Sequence, residues 1–148
     1  MNILVINGPN SNMLGVSQTN ILGSATLGEI ENKIKEAIID GVKVSFFQSN
    51  HEGAIIDRIH RAYDENIKYI IINAGAYAHT SIAIRDAFLA TAIPFIEVSI
   101  SNIYAREEYR KHSYLSDIAI GVISGFGVNS YILALAHILS IKANNTNK

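Results

Sequence analysis

The stretch that decides the fold is Ile3-Leu4-Val5-Ile6-Asn7-Gly8-Pro9-Asn10. Its first residues are apolar and mostly β-branched, which is typical of a strand buried on both faces, and the polar residues that follow form a turn. Similar apolar runs occur at residues 69–72 and 95–98, and each is also followed by a polar residue. Strands that are apolar throughout are typical of a parallel sheet covered by helices on both faces. The sequence therefore predicts buried parallel strands that each lead into a polar loop.

Helical signals lie between these strands. Thr26 and Glu29 have the spacing of a capping box, with apolar residues at helical intervals behind them, so we predict a helix that ends near Gly41. The other predicted elements are, in order, a strand at 42–47, a helix at 52–63, a strand at 69–72, a helix capped by Thr80 or Ser81 and running through residue 90, a strand at 95–98, a short helix at 106–111, a strand at 118–123 and a helix at 129–143. This alternation favours an α/β fold: a flavodoxin-like doubly wound five-stranded parallel sheet in a three-layer sandwich.

Composition sets limits on the class of protein. A chain of 148 residues, 49% hydrophobic and 17% charged, is expected to form a single domain over residues 1–148. Twelve Lys and Arg and thirteen Asp and Glu give a net charge of −1. Such a charge does not produce the positive potential that attracts nucleic acid or an anionic membrane. No apolar run approaches the roughly 18 residues of a membrane span, and the N-terminus lacks the pattern of a signal peptide. We expect a cytoplasmic protein with neither a nucleic-acid nor a membrane partner.

Several common chemistries are disfavoured by missing motifs. The chain has no Gly-Lys pair for a phosphate-binding loop, and no cysteine for a disulfide, a thiolate nucleophile or a Cys-based metal site. Gly125-Phe126-Gly127 resembles the start of a dinucleotide fingerprint, but it follows the fifth strand, and Ser130 occupies the third glycine position. A phospho-receiver needs a carboxylate where this chain has Asn7. The five histidines lack metal-ligand spacing, so no metal site is predicted.

Polar side chains follow four of the predicted strands. In doubly wound sheets, ligands bind beyond the carboxyl ends of the strands, near the switch in strand order. The polar residues at these ends are Asn7 and Asn10 after the first strand, Gln48 and Ser49 after the second, Asn73 and His79 after the third, and Ser99 and Ser101 after the fourth. We expect one crevice to collect them.

His79 and Glu97 are candidates for acid–base chemistry. His79 lies in the loop after the third strand, just ahead of a helix. At this position it can be a catalytic residue or a hydrogen-bonded cap of the helix. Glu97 lies within an apolar strand, where a carboxylate is costly to bury without a partner. A histidine nearby would offset that cost and be oriented by it. The alternative is a strand-end glutamate that reaches solvent.

Arg106 and Arg110 are candidates for anion binding. Four residues apart, they share one face of a helix and can clamp a small carboxylate. The alternative is a solvated charged turn in which Glu107 and Lys111 are paired. From the residues alone, both interpretations remain open.

Several separate motifs resemble type II 3-dehydroquinate dehydratases in order and spacing, over nearly the whole chain. They are Asn7-Gly8-Pro9-Asn10 with Leu14-Gly15, Gln48-Ser49-Asn50-His51-Glu52-Gly53, Asn73 with Gly75-Ala76-Tyr77, His79-Thr80-Ser81, Arg85-Asp86-Ala87, Glu97-Val98, Ser101-Asn102-Ile103, and residues 106–113. The resemblance implies an enzyme that removes water from 3-dehydroquinate to give 3-dehydroshikimate, without metal or cofactor, in aromatic biosynthesis or quinate breakdown. It also implies a homododecamer built from trimers.

The resemblance further implies the site residues, in a reaction that proceeds through an enolate. His79 would be the general acid, Glu97 would orient it, and Asn10 would hold the water that stabilises the enolate oxygen. The residues implied in substrate binding are Asn73, the Ile100 backbone, Ser101 and Arg110, together with Asp86 reaching the site of a neighbouring subunit.

The chain departs from the family at three positions. The family's lid carries an arginine and, five residues later, a tyrosine that acts as the base, and here those positions are Ser17 and Leu22. Ser99 stands where the family has a substrate-binding histidine. Leucine cannot accept a proton, and a serine hydroxyl is far too weakly acidic to replace a phenolate. The sequence thus leaves a dehydratase with a modified lid, a relative that binds a quinate-like ligand without turnover, and a change of substrate as hypotheses.

Overall fold

A parallel sheet of five strands forms the centre of the molecule. The computed structural model describes residues 1–146. The strands are β1 (Asn2–Asn7), β2 (Lys43–Gln48), β3 (Tyr69–Asn73), β4 (Phe95–Ser99) and β5 (Gly121–Ser124), arranged in the order β2-β1-β3-β4-β5. Neighbouring strands all run parallel. The predicted flavodoxin-like doubly wound sheet is confirmed, with its switch in strand order between β1 and β3.

Helices cover both faces of the sheet. The helices are α1 (Thr19–Leu22), α2 (Leu27–Glu36), α3 (Glu52–Asp64), α4 (Ile82–Thr91) and α5 (Asn129–Thr146). Because successive strand residues point to opposite faces, Leu4 and Ile6 pack in the layer of α3 and α4, whereas Ile3 and Val5 pack in the layer of α2 and α5. These four side chains are fully buried, which explains why the first strand is apolar throughout.

Local capping signals fix where two helices begin. At α2, the Glu29 backbone N–H donates to Thr26 Oγ1 at 3.2 Å, and the Thr26 N–H donates to Glu29 Oε2 at 2.8 Å. This is the predicted capping box. At α4, the Ile84 N–H donates to Ser81 Oγ at 2.9 Å, so Ser81 is the cap and Thr80 is not. The alternative in which His79 serves as the cap is therefore wrong.

Some predicted boundaries are wrong. Residues 106–111 do not form a helix, because Arg106 is extended between two 3-10 turns, Ile103–Ala105 and Glu108–Arg110. The Asn102 side chain accepts from the Tyr104 N–H at 3.1 Å and so caps the first of these turns, which ends at Ala105. The fifth strand begins at Gly121 instead of residue 118, since residues 118 and 119 turn back onto the Leu115 carbonyl. The first predicted helix ends at residue 36 instead of near residue 41.

A short segment after β1 contains α1, a helix that the sequence analysis did not predict. We call residues 16–23 the lid. Gln18 is in the left-handed conformation immediately before α1, and Gly23, with φ +80°, ends it. Leu22 packs against the α2 and α5 layer. The lid is thus anchored to the core through one apolar side chain, beside the carboxyl end of the sheet.

Candidate active site

Strand register brings the polar strand ends to one edge. Asn7 is aligned with Gln48 on one side and with Asn73 on the other. The Gly8 N–H donates to the Asn73 carbonyl at 2.7 Å. A Cβ at Gly8 would lie 2.3 Å from the Ala74 carbonyl oxygen, so this close approach requires glycine. The β1 loop therefore crosses directly over the end of β3.

A cavity of about 200 Å³ lies at this edge. A cavity of this size suits a small-molecule ligand. It brings together six of the predicted site residues: Asn10, Asn73, His79, Ile100, Ser101 and Arg110. The three departures from the family also line it: Ser17, Leu22 and Ser99. The predicted single crevice is confirmed only in part, because Asn7, Gln48 and Ser49 do not line it. Glu97 and Asp86 are also not among its lining residues.

Asn10 is held by the neighbouring loop. Its φ is 66°, in the left-handed region that asparagine tolerates better than most residues. Its backbone N–H donates to Asn50 Oδ1 at 2.9 Å, and Gln48 Nε2 donates to the same oxygen at 3.2 Å. The bond from Asn10 to Asn50 ties the loops after β1 and β2 together, and Gln48 Nε2 adds a second link by donating to the Gly8 carbonyl at 3.3 Å.

His79 is fixed in one tautomer. Its Nδ1 lies 2.7 Å from the His112 carbonyl oxygen. Because a carbonyl only accepts, Nδ1 must carry a hydrogen and donate it. In the neutral imidazole, Nε2 is then the free acceptor, and in the charged form it becomes the donor. His79 can thus exchange a proton at one defined atom.

Glu97 makes different contacts from those predicted. The carboxyl is buried, at 3% exposure, so the alternative of a solvent-exposed glutamate is wrong. Oε1 accepts from Ser113 Oγ at 2.6 Å, and Oε2 accepts from the Ser116 hydroxyl. The predicted direct pair with His79 is not formed, because the His79 Nδ1 donates to the His112 carbonyl instead.

The link between Glu97 and His79 runs through the backbone. Ser113 follows His112 directly, and its hydroxyl also accepts from the Leu115 N–H at 3.0 Å. Glu97 therefore holds Ser113 in place, and the carbonyl of the preceding residue, His112, orients the imidazole of His79. Two hydroxyl donors supply the partners that a buried carboxylate needs. No spacing pattern in the sequence indicated either serine as a partner of Glu97, since they lie 16 and 19 residues away from it.

The Ser113→Ala variant is expected to lower the free energy of unfolding by about 1–3 kcal/mol, because one oxygen of a buried carboxylate loses its donor. Urea denaturation followed by circular dichroism measures the change. The control is Ser140→Ala, which also loses a short hydroxyl bond, 2.6 Å to the His137 carbonyl, but on an exposed helix face. A change of about 0.5 kcal/mol or less is expected there. Equal losses in the two variants would contradict the assigned role of Ser113.

Two arginines line the cavity although the predicted helix between them is absent. Arg110 Nε donates to Glu107 Oε2 at 2.7 Å. Hydrogen bonds from its own backbone amide and from Arg110 hold the pKa of Glu107 below its usual value. Lys111 pairs with Glu108 at 2.7 Å. The predicted pairing of Glu107 with Lys111 is wrong, because Glu107 pairs with Arg110 and Lys111 pairs with Glu108. The segment is a charged turn, and its two arginines also face the cavity.

Arg106 and Gln18 join the lid to the site. Arg106 Nη2 donates to Gln18 Oε1 at 2.9 Å, and Nη1 donates to Ser101 Oγ at 3.3 Å. Arg106 Nε is buried without a hydrogen-bond partner. The spacing to Arg110 had signalled Arg106 as an anion-binding candidate. Nothing in the sequence signalled Gln18, which is 88 residues away from its partner.

The lining residues offer few groups that can accept a proton. They include one imidazole and two guanidinium groups, but neither a phenol nor a carboxylate. Leu22 occupies the lid position with an apolar side chain. Tyr104, in the turn after β4, is 64% exposed and is not part of the lining.

Comparison with known proteins defines the family. The family model described as Dehydroquinase class II matches residues 1–139. The chain belongs to the class II dehydroquinase family. A 3-dehydroquinate dehydratase of Methylococcus capsulatus is 58% identical, with 90% of each chain covered, and one of Prochlorococcus marinus (strain MIT 9515) is 52% identical, with 97% of this chain and 99% of the relative covered. The crystal structure of the type II dehydroquinase from Butyrivibrio crossotus matches with a TM-score of 0.90 and 46% identity, covering 93% of this chain and 96% of that one.

Two further properties of this dehydroquinase family member concern the described part of the chain. Within residues 1–146, none of the helices has the length and apolar character to cross a membrane. Over the same residues, histidine, aspartate and glutamate side chains do not gather into a group of three or more that suits a metal ion.

Proposed function

We propose that this chain is a 3-dehydroquinate dehydratase, which converts 3-dehydroquinate to 3-dehydroshikimate and water in the shikimate or quinate pathway, as a single cytoplasmic domain. The observation that carries the proposal is the convergence of His79, Asn73 and Arg110 on one small cavity. The high identity to relatives named 3-dehydroquinate dehydratase supports the same substrate. The proposed reaction needs neither metal nor cofactor, as the family resemblance implies.

The proposed chemistry has two proton transfers. A base removes the proton beside the ketone, and the electron pair forms an enolate. The enolate then expels the neighbouring hydroxyl as a carbon–carbon double bond forms. We propose that the charged form of His79 donates its Nε2 proton to that hydroxyl, so that it leaves as water. The bond from Nδ1 to the His112 carbonyl supports this role, since it leaves Nε2 free for the reaction.

Asn10 and the anion-binding groups are proposed to hold the substrate. Asn10 would fix the water at the enolate oxygen, where a preorganised dipole stabilises developing charge. Asn73, the Ile100 backbone, Ser101 and Arg110 would bind the hydroxyls and the carboxylate of the substrate. Glu97 would act indirectly, by holding the segment 112–116 that orients His79.

Removal of the first proton is proposed to be the slow step. The lid positions that provide the base in the family are Ser17 and Leu22, and the residues lining the cavity include neither a phenol nor a carboxylate. A placed general base contributes about 10²- to 10⁴-fold to a rate. We therefore expect a turnover well below that of a family member with the usual lid.

The function is tested by following the enone absorbance of 3-dehydroshikimate after 3-dehydroquinate is added. Turnover that needs His79 supports the proposal. Thermal stabilisation by 3-dehydroquinate without any product would instead favour the second hypothesis, a relative that binds a quinate-like ligand without turnover. That hypothesis is motivated by the three departures from the family that line the cavity, which are Ser17, Leu22 and Ser99.

Assembly into a homododecamer of trimers is proposed as part of the site. Asp86 is exposed on α4 and does not line the cavity of its own chain. On the same helix, Ile82 and Leu89 are 54% and 55% exposed, so a carboxylate stands among apolar side chains that are open to solvent. An apolar surface of this kind is typical of a subunit interface. It supports the proposal that Asp86 reaches the cavity of a neighbouring subunit.

The Leu89→Lys variant is expected to break the assembly, because a charge at a buried subunit contact is costly. Size-exclusion chromatography with light scattering would show a smaller species and loss of turnover. The matched control is Ile39→Lys, in the turn after α2, where a residue of 49% exposure also gains a charge. Its assembly should be unchanged. An unaltered oligomer in Leu89→Lys would count against the use of α4 as an interface.

A further inference from the structure

A hydrogen-bonded network of three polar side chains lies behind the cavity. Asn7 ends β1, Asn73 ends β3, and Tyr131 lies on α5. The Tyr131 hydroxyl donates to Asn7 Oδ1 at 2.5 Å and accepts from Asn73 Nδ2 at 2.8 Å. Tyr131 is 0% exposed and Asn7 is 1% exposed, whereas Asn73 lines the cavity. The network therefore connects the buried hydroxyl of Tyr131 to the amide of Asn73, which a ligand in the cavity can contact.

The number of hydrogen-bond donors in this network fixes the orientation of the Asn73 amide. A phenol has a single hydrogen, and since Tyr131 gives it to Asn7, its oxygen can only accept from Asn73. The amide nitrogen of Asn73 must therefore face Tyr131. The other amide atom, Oδ1, accepts from the Gly75 N–H at 3.2 Å. A flipped amide would place its oxygen against the lone pairs of Tyr131 and its nitrogen against an N–H.

The Tyr131 hydroxyl keeps its hydrogen. Burial raises the pKa of the phenol far above its usual value, because the charged form would lose its hydration. The neutral phenol therefore continues to donate to Asn7 and to accept from Asn73. One hydrogen on Asn73 Nδ2 is used by Tyr131, and the second remains for another partner.

We infer that Tyr131 is a positioning residue for ligand binding, which locks Asn73 so that the cavity presents an N–H donor to a hydroxyl or carboxylate oxygen of the ligand. The class of ligand rests on the proposed function, but the locking of the amide does not. Without the phenol oxygen, only the 3.2 Å bond from the Gly75 N–H still holds the Asn73 amide, so the side chain turns more easily and can present its carbonyl oxygen to a ligand oxygen, which repels it. The residue that decides this polarity lies on α5, 58 residues from the group it controls.

The test compares Tyr131→Phe with a matched control. In Tyr131→Phe, the dissociation constant for quinate, a non-reacting polyhydroxy carboxylate, is expected to rise about tenfold by calorimetry, as for the loss of one hydrogen bond to a charged or polar ligand. For 3-dehydroquinate, KM should rise more than kcat falls, whereas a partly unfolded enzyme would lose kcat at constant KM. The control is Tyr69→Phe, which also removes a hydroxyl from a tyrosine packed in the α2 and α5 layer, but at the start of β3 and away from the cavity. Its dissociation constant should stay unchanged.

A double-mutant cycle separates positioning from a general effect on the fold. If Tyr131 acts through Asn73, then adding Tyr131→Phe to Asn73→Ala should not weaken quinate binding further. Additive losses, or an unchanged dissociation constant in Tyr131→Phe, would overturn the inference. Should Tyr131→Phe fail to fold, Asn7→Ser removes the oxygen that takes the phenol hydrogen and is expected to raise the same constant.

A measurement without ligand separates this inference from the proposed function. In the wild-type protein, the side-chain amide protons of Asn73, assigned by their loss in Asn73→Ala, should exchange slowly with solvent in NMR spectra. In Tyr131→Phe they should exchange at least about tenfold faster, because a buried hydrogen bond is lost. Equal exchange rates in the two proteins overturn the inference. A wild-type protein that binds neither quinate nor 3-dehydroquinate overturns the proposed function and the ligand-binding role, while the exchange rates still decide whether Tyr131 locks Asn73.

Discussion

The double variant Ser17→Arg, Leu22→Tyr is expected to form 3-dehydroshikimate about 10²- to 10⁴-fold faster than the wild-type chain, the usual contribution of a placed general base. Both positions line the cavity, so the new side chains can reach a bound substrate. The phenol supplies the missing proton acceptor. The guanidinium beside it favours the charged phenolate and so lowers its pKa. Initial rates from the enone absorbance measure the effect.

The control for this variant is Ser17→Arg, Leu22→Phe. It has the same ring at the lid and the same new positive charge, but it lacks the hydroxyl that accepts the proton. Its rate should stay near that of the wild-type chain. If the phenylalanine version is accelerated as much as the tyrosine version, the gain comes from packing of the lid, and the proposed slow step is wrong. A wild-type chain already as fast as the tyrosine version would show that another base is in place.

The fold was predictable because its signals are local. The apolar run in β1, the capping box at Thr26 and the cap at Ser81 each lie within a few residues of the structure they determine. Prediction failed where local patterns compete. Residues 106–111 have the composition of a helix, but Arg106 is extended and residues 108–110 form a 3-10 turn. The fifth strand was drawn too long because apolar residues in a turn resemble strand residues.

The candidate site was predictable only in part, for the opposite reason. The topology of the sheet brings Asn10 and His79 to one edge, and strand ends can be read from the sequence. The contacts that orient them cannot, since they join distant positions. Glu97 was expected to hold His79 directly, yet its partners are two serines in a loop. Tyr131 is 124 residues from Asn7, and no spacing rule connects them.

The His79→Ala variant is expected to lower turnover of 3-dehydroquinate by about 10²- to 10⁴-fold, because the leaving hydroxyl then departs without a placed proton donor. The expectation holds in the wild-type chain and in the Ser17→Arg, Leu22→Tyr variant, since the acid and the base act on different atoms. His60→Ala, on an exposed position of α3, is the control and should keep full activity. Thermal melts with quinate show whether the His79→Ala cavity still binds.

Measuring His79→Ala both in the wild-type chain and in the Ser17→Arg, Leu22→Tyr variant separates the possible roles of His79. If His79 is the acid alone, its loss should cost a similar factor in both backgrounds, and the two substitutions should act independently on the rate. If His79 instead serves as the wild-type chain's replacement base, its neutral Nε2 would take the first proton, and the tyrosine lid would restore much of the lost rate. Full activity of His79→Ala in both backgrounds would contradict either role. The Nδ1 bond to the His112 carbonyl permits both roles, because it leaves the same nitrogen free in either protonation state.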